Sequence, residues 1–327
     1  MKKTYHLLHK FIFIILAELI FVALLGVVSF AYLYNLSTDS LPYPHVITIL
    51  FAIMVAATIA TSVYVCINSH EIGVTRIKKT NKFILFADAF AVVMMLIFFI
   101  YECVTSMTYI NKEQNAIVFF RVSRWIISIP ALGYFIIQAL PKKIRRTRVV
   151  IPDYLKLIAS VCLILWCILG VFTTYFASHL TNPKDITKIT MMFIYVIIAM
   201  FFILEGEFEL IKARHKPYMI AAFTTATVTF AIPLGISIAK VFKPSMAWEA
   251  LSQPELLVCA AIGIYALAKM FALVSTMALV IENSHGSTPS ASKQRKSASQ
   301  SSDTAPKAED GSADKGDKAY LIKPDKK

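Results

Sequence analysis

Along most of this chain the charged residues are few, and the stretches between them are apolar all round. They show neither the alternation of a half-buried strand nor the one-sided stripe of a surface helix. Eight such runs can be read, at 11–34, 45–67, 83–104, 117–140, 155–178, 189–211, 219–240 and 255–281. A helix needs roughly 20 apolar residues to cross the hydrocarbon core of a bilayer, so the pattern predicts eight transmembrane helices. The connections are short, which makes successive helices antiparallel neighbours. The first run exceeds the roughly 7–15 apolar residues of a removable signal and is expected to remain as an anchor.

Composition agrees with that class. The chain is 57% hydrophobic and 16% charged, whereas soluble domains carry about 25% charged residues. The net charge of +13 is not spread as a nucleic-acid footprint would be. It sits in alternate loops: Lys2, Lys3 and Lys10; Arg76, Lys78, Lys79 and Lys82; Lys142, Lys143, Arg145, Arg146 and Arg148; Lys212, Arg214 and Lys216. By the positive-inside rule these loops and both termini are expected to be cytoplasmic, in a membrane the sequence does not identify. The five cysteines lie in or beside apolar runs without metal-ligand spacing, and are expected to be buried thiols. From residue 284 the chain turns rich in Ser, Lys, Asp and Ala, and 284–327 is expected to be a disordered cytoplasmic tail. No metal-binding motif or phosphate-binding loop is present, and the chain is not read as an enzyme.

An ionisable side chain at membrane depth costs about 2.5–3.5 kcal/mol on insertion scales, so each one calls for a reason. The candidates are Glu18, Asp88, Glu102, Arg121, Arg124 and Lys269. Lys269 lies in the middle of the last run, too far from either end to snorkel. A buried amine is easily neutralised and suits Schiff-base chemistry; the alternative is a structural lysine paired with a carboxylate. Glu205, Glu207 and Glu209 approach Lys212 and Arg214 and read as a solvated helix end. Asp88 is either a proton relay or a polar contact between helices.

The fourth run reads Glu113-Gln-Asn-Ala-Ile-Val-Phe-Phe-Arg121-Val-Ser-Arg124-Trp125-Ile-Ile-Ser128-Ile-Pro130. It resembles the third helix of bacteriorhodopsin-like (type 1, microbial) rhodopsins, E-Q-N-P-I-Y-W-x-R-Y-x-D-W-x-x-T-x-P. Glu113, Gln114, Asn115, Ile117, Arg121, Trp125 and Pro130 match, with Ser128 for the threonine. Gly73-Val74 and Lys82-Phe83 precede it as in the family's first loop and second helix, and Pro233 falls in the penultimate span. Lys269 takes the position of the family's retinal lysine. The resemblance implies an all-α membrane protein: a seven-helix rhodopsin domain at 45–283, preceded by an N-terminal segment, 1–44, carrying one extra transmembrane helix. It further implies all-trans retinal bound covalently to Lys269 as a Schiff base. Trp125, Arg124, Ser128, Pro130, Tyr265, Phe98, Phe230 and Pro233 would line the chromophore, in a protein that assembles as a homo-oligomer among membrane lipid.

The departures bear on mechanism. The pumps' proton-accepting aspartate is replaced by Arg124, their proton donor by Phe135, and their second carboxylate counterion by Tyr265. The expected function is therefore a photoreceptor or light-gated conductance and not a classical outward proton pump. Two alternatives stand beside it: a light-gated anion channel or transporter binding chloride or another anion, and an opsin-related chaperone or scaffold without photochemistry. Arg121, Arg124, Trp125 and Ser128 share one helix face, and since Arg124 takes the counterion's position the resemblance implies that it lies near the Lys269 nitrogen, where a like charge works against a positive nitrogen. Unless Glu102 or a halide intervenes, the dark pigment would then absorb in the near ultraviolet. Arg121, Glu102 and Asp88 are the candidate ion or proton path.

Overall fold

The computed structural model describes residues 2–36, 44–68, 77, 82–109, 115–140, 143–144, 147–148, 152–176, 186–211, 215–242 and 253–286. Eight helices account for almost all of them: α1 (Lys2–Leu36), α2 (Pro44–Asn68), α3 (Lys82–Tyr109), α4 (Asn115–Ala139), α5 (Asp153–Phe176), α6 (Ile186–Gly206), α7 (His215–Phe242) and α8 (Gln253–Gly286). A two-stranded antiparallel pair, β1 (Lys143–Ile144) and β2 (Thr147–Arg148), lies between α4 and α5. Seven helices are long and apolar enough to cross a membrane; in α2 the apolar stretch among the described residues is the shorter Ala52–Tyr64. The protein is thus a multi-pass helical bundle. Large apolar side chains such as Phe13, Phe86, Val104, Phe119 and Tyr154 remain exposed on its outside, the surface a lipid solvent selects.

Local sequence sets the helix ends. Pro44 opens α2 and Pro254 is the second residue of α8, where a missing N–H costs nothing. Pro130 and Pro233 stand inside α4 and α7, each removing one ladder hydrogen bond. After Gly206 the α6 ladder widens into a single π-helical turn, Glu207–Ile211. Such turns are rare and recur at functional sites.

The helices up to His285 form one compact unit, so α1 belongs with the rest of the bundle; of the expected tail, 284–327, the first three residues continue α8 to Gly286, and 287–327 lies outside the described residues. α1 packs on α2 and α7. Glu18 marks its contact with α2, accepting a hydrogen bond from Thr58 Oγ1 at 2.7 Å, and Phe11 meets Phe223 of α7 edge-on at 4.4 Å. α3, α4, α5, α6 and α7 follow one another as neighbours. α8 runs through the middle, with 83% of its membrane window buried. It touches α3 through Phe83 and Phe271, α4 through Phe135 and Tyr265, and α6 through Phe202 and Tyr265.

α7 and α8 approach closely at Gly263. A Cβ built there would fall 2.6 Å from the backbone nitrogen of Phe230, so only glycine permits the contact. Gly263→Ala should force the two helices apart and destabilise the bundle by about 1–3 kcal/mol. Gly133→Ala, which meets nothing within 4 Å, serves as the control. Thermal unfolding of both variants in detergent checks this: a lower midpoint for Gly263→Ala alone is expected, and equal midpoints would place α7 and α8 farther apart than described.

Candidate functional site: two buried polar rungs

Buried charge in the bundle is concentrated in two places. The first surrounds Arg124, which is 3% exposed. Its Nη1 donates to Glu255 Oε1 at 2.6 Å and its Nη2 to Tyr195 Oη at 2.7 Å. Tyr195 in turn donates to the same carboxylate oxygen. The guanidinium is caged by the rings of Trp166, Tyr195 and Phe98, with centroids 4.3, 4.8 and 5.1 Å away. Gly170 leaves the room: a Cβ there would lie 3.0 Å from the Tyr195 ring and 3.1 Å from Arg124 Nη2. Glu102, the carboxylate expected to answer Arg124, is within electrostatic range, but the carboxylate that pairs with the guanidinium is Glu255.

The second surrounds Lys269, 4% exposed. Its Nζ lies 2.9 Å from Glu205 Oε1 and donates to Glu209 Oε1 at 2.8 Å. Tyr265 donates to Glu205 Oε1 at 2.7 Å, and Gln138 donates to Glu209 Oε2 at 2.9 Å. Asp88, buried on α3, is in electrostatic range of all three charges. Tyr134, Phe135, Phe201, Phe202 and Tyr265 stack and edge around the pair. Glu205 and Glu209 are four residues apart on either side of the π turn's start and face one lysine, whereas Glu207 between them is exposed. The solvated helix end expected at these glutamates is therefore corrected for Glu205 and Glu209. The apolar runs on either side set the depth at which they sit, and that depth is inside the bundle.

The two rungs share a construction. Arg124 and Gln138 are fourteen residues apart on α4, Tyr195 and Glu209 on α6, and Glu255 and Lys269 on α8. Fourteen residues are about four turns and about 21 Å of rise, so both members of each pair lie on one helix face. The equal spacing shows α4, α6 and α8 running in the same direction, in step.

This geometry redistributes the residues expected around retinal. The structure brings Lys269 and Tyr265 together, but Arg124 and Phe98 belong to the other rung. Trp125 stacks on Phe99 at 5.5 Å, Ser128 donates to the Trp125 carbonyl oxygen at 2.5 Å, and Pro130 is exposed. Phe230 abuts Gly263, six residues before the lysine, and Pro233 is buried in α7. Arg121 is half-buried. The expectation that Arg124 sets the charge at the Lys269 nitrogen is not met. At an effective dielectric of about 20, unit charges about 21 Å apart interact by about 0.8 kcal/mol, against about 6 kcal/mol at the distance of Glu205. Glu255, Tyr195, Gln138, Glu205 and Glu209 are the site residues the sequence reading missed. Tested against retinal, the nitrogen end fits: a buried amine faces carboxylates. The matched Trp125, Ser128 and Phe98 do not line that position. Among the described residues no group of three metal-ligating side chains occurs, and all five cysteines are free.

Comparison with protein-family models, with curated proteins and with solved structures finds no match.

Removing one partner of a buried ion pair leaves an uncompensated charge and costs about 3–5 kcal/mol, while replacing both with apolar residues is often neutral. Glu255→Leu should therefore destabilise strongly, and Arg124→Leu with Glu255→Leu should recover most of the loss. A double-mutant cycle on unfolding free energy measures this; simple additivity of the two changes would contradict the pairing.

Proposed function

We propose that this chain is a rhodopsin-like membrane photoreceptor or light-gated conductance that carries all-trans retinal on Lys269, with Glu205 and Glu209 as counter-charges. The observation that supports the reading is the Lys269 ion pair. The motif positions that hold carboxylates in the pumps are Arg124 and Tyr265 here, yet α6 brings Glu205 and Glu209 to the lysine at 2.9 and 2.8 Å. Negative charge is thus supplied at the lysine of the motif by a different helix.

Retinal bound there would supply a light-driven change of shape at a positively charged nitrogen. The chain's own residues do the rest. Glu205 and Glu209 hold the positive charge, Tyr265 and Gln138 fix those carboxylates by hydrogen bonds, and the surrounding rings exclude water. Arg124 takes no part at the lysine, because its charge is met by Glu255. That pairing also removes the argument for a halide at Arg124 and with it the main support for an anion channel. Phe135, packed against Tyr265 at 5.3 Å, offers no proton, which argues against an outward pump.

A second reading, an opsin-related bundle without photochemistry, is favoured by one observation: the Lys269 ammonium is engaged by two carboxylates, as a structural lysine would be.

Spectroscopy of the purified protein separates the two. With added all-trans retinal, a visible band is expected that Lys269→Ala abolishes. Arg124→Gln should leave the band in place, whereas the double variant Glu205→Gln, Glu209→Gln should replace it with near-ultraviolet absorption. No band on adding retinal would exclude the photoreceptor and leave the second reading.

A further inference from the structure

The Lys269 rung does not balance its charge. Three carboxylates, Asp88, Glu205 and Glu209, are in range of one another and of Lys269, and Lys156 of α5 acts on Glu209. Three negative groups against two positive ones leave one negative charge in excess, and an uncompensated charge in an apolar interior is neutralised where it can be. The hydrogen bonds show where. Both Glu209 oxygens are used, Oε1 by Lys269 and Oε2 by Gln138. Glu205 uses Oε1 alone, for Lys269 and Tyr265. Glu205 Oε2 and Asp88 Oδ1 are buried and have no partner.

Two further buried polar atoms without partners lie toward one end of the bundle: Tyr218 Oη and His215 Nε2. His215 is the first residue of α7 and Tyr218 is one turn further in, within electrostatic range of Glu205, Glu209 and Lys269. Buried polar groups are almost always paired, with protein or with ordered water, so these unpaired atoms are places that water can bridge.

We propose that Asp88 and Glu205 together hold one exchangeable proton, taken up from the His215 end of α7 past Tyr218, which makes this half of the bundle a proton-binding site. The groups facing it are Asp88 from α3, Tyr134 and Gln138 from α4, Lys156 from α5, Glu205 and Glu209 from α6, His215 and Tyr218 from α7, and Tyr265 and Lys269 from α8. The site does not depend on a chromophore.

Infrared spectroscopy of the full chain in lipid nanodiscs, without retinal, reads the proton directly as the C=O stretch of a protonated carboxyl. At neutral pH the wild type should show this band, and it should shift on transfer to D2O. Asp88→Asn and Glu205→Gln should each abolish the same band, because either one removes the excess charge. Glu102→Gln should retain it. Tyr218→Phe should slow the D2O shift by roughly tenfold, a barrier change of about 1.4 kcal/mol. A wild type without the band or without the shift would overturn the proposal, even if a variant fails to fold. Survival of the band in both carboxylate variants would overturn it as well, and an unchanged rate in Tyr218→Phe would overturn the route.

Discussion

A charge at membrane depth is costly unless it is paired, and the strongest pairs inside this bundle are made between side chains of different helices. The pairing of Lys269 with Glu205 and Glu209 is the clearest case. It ties α8 to α6, and through Gln138 it ties both to α4. The Arg124–Glu255–Tyr195 set joins the same three helices a second time. Lipid tails are as apolar as the helix faces themselves, so hydrophobic burial supplies little to choose one helix packing over another. Polar rungs that must close, and a glycine that admits Phe230, do discriminate. They fix which faces turn inward and at what depth.

The helices were legible in the sequence because the signal for them is local. A run of about 20 apolar residues reports its own membrane span whatever surrounds it. The helix the motif matches and the buried character of Lys269 and Arg124 could be read in the same way. Pairing is non-local and was not legible. The motif on α4 ranks Arg124 and Trp125 beside the lysine by analogy, but the relative depth of α4 and α8 depends on which polar residues meet. Here Lys269 is level with Gln138 and not with Arg124.

Glu205 and Glu209 were misread for a related reason. Their neighbours Lys212 and Arg214 suggest a helix end in water, and a sequence does not announce that a π turn will bring both carboxylates around to one lysine. One signal was available. Arg124 and Gln138, Tyr195 and Glu209, and Glu255 and Lys269 repeat the same fourteen-residue interval on three apolar helices. A polar residue repeated after about four turns stays on one face. Three helices sharing that interval define two levels at which their polar groups can meet.

The two levels differ in kind, and the difference follows from how the charges at each are balanced. At Arg124 one cation meets one carboxylate, a phenol and three aromatic faces, and Cys167 and Cys259 are buried in the same layers. The charges at this level are balanced one for one, although Arg124 Nε and Trp166 Nε1 are buried without a partner. At Lys269 the carboxylates outnumber the lysine and two of their oxygens lack partners. Glu205 precedes the π turn and Glu209 lies within it, so the two carboxylates are carried by an irregular backbone segment. A charge centre that is over-supplied on one side and mounted on an irregular turn can exist in more than one arrangement. Any ligand or proton that binds one of these arrangements more tightly than another will shift the population by its difference in affinity.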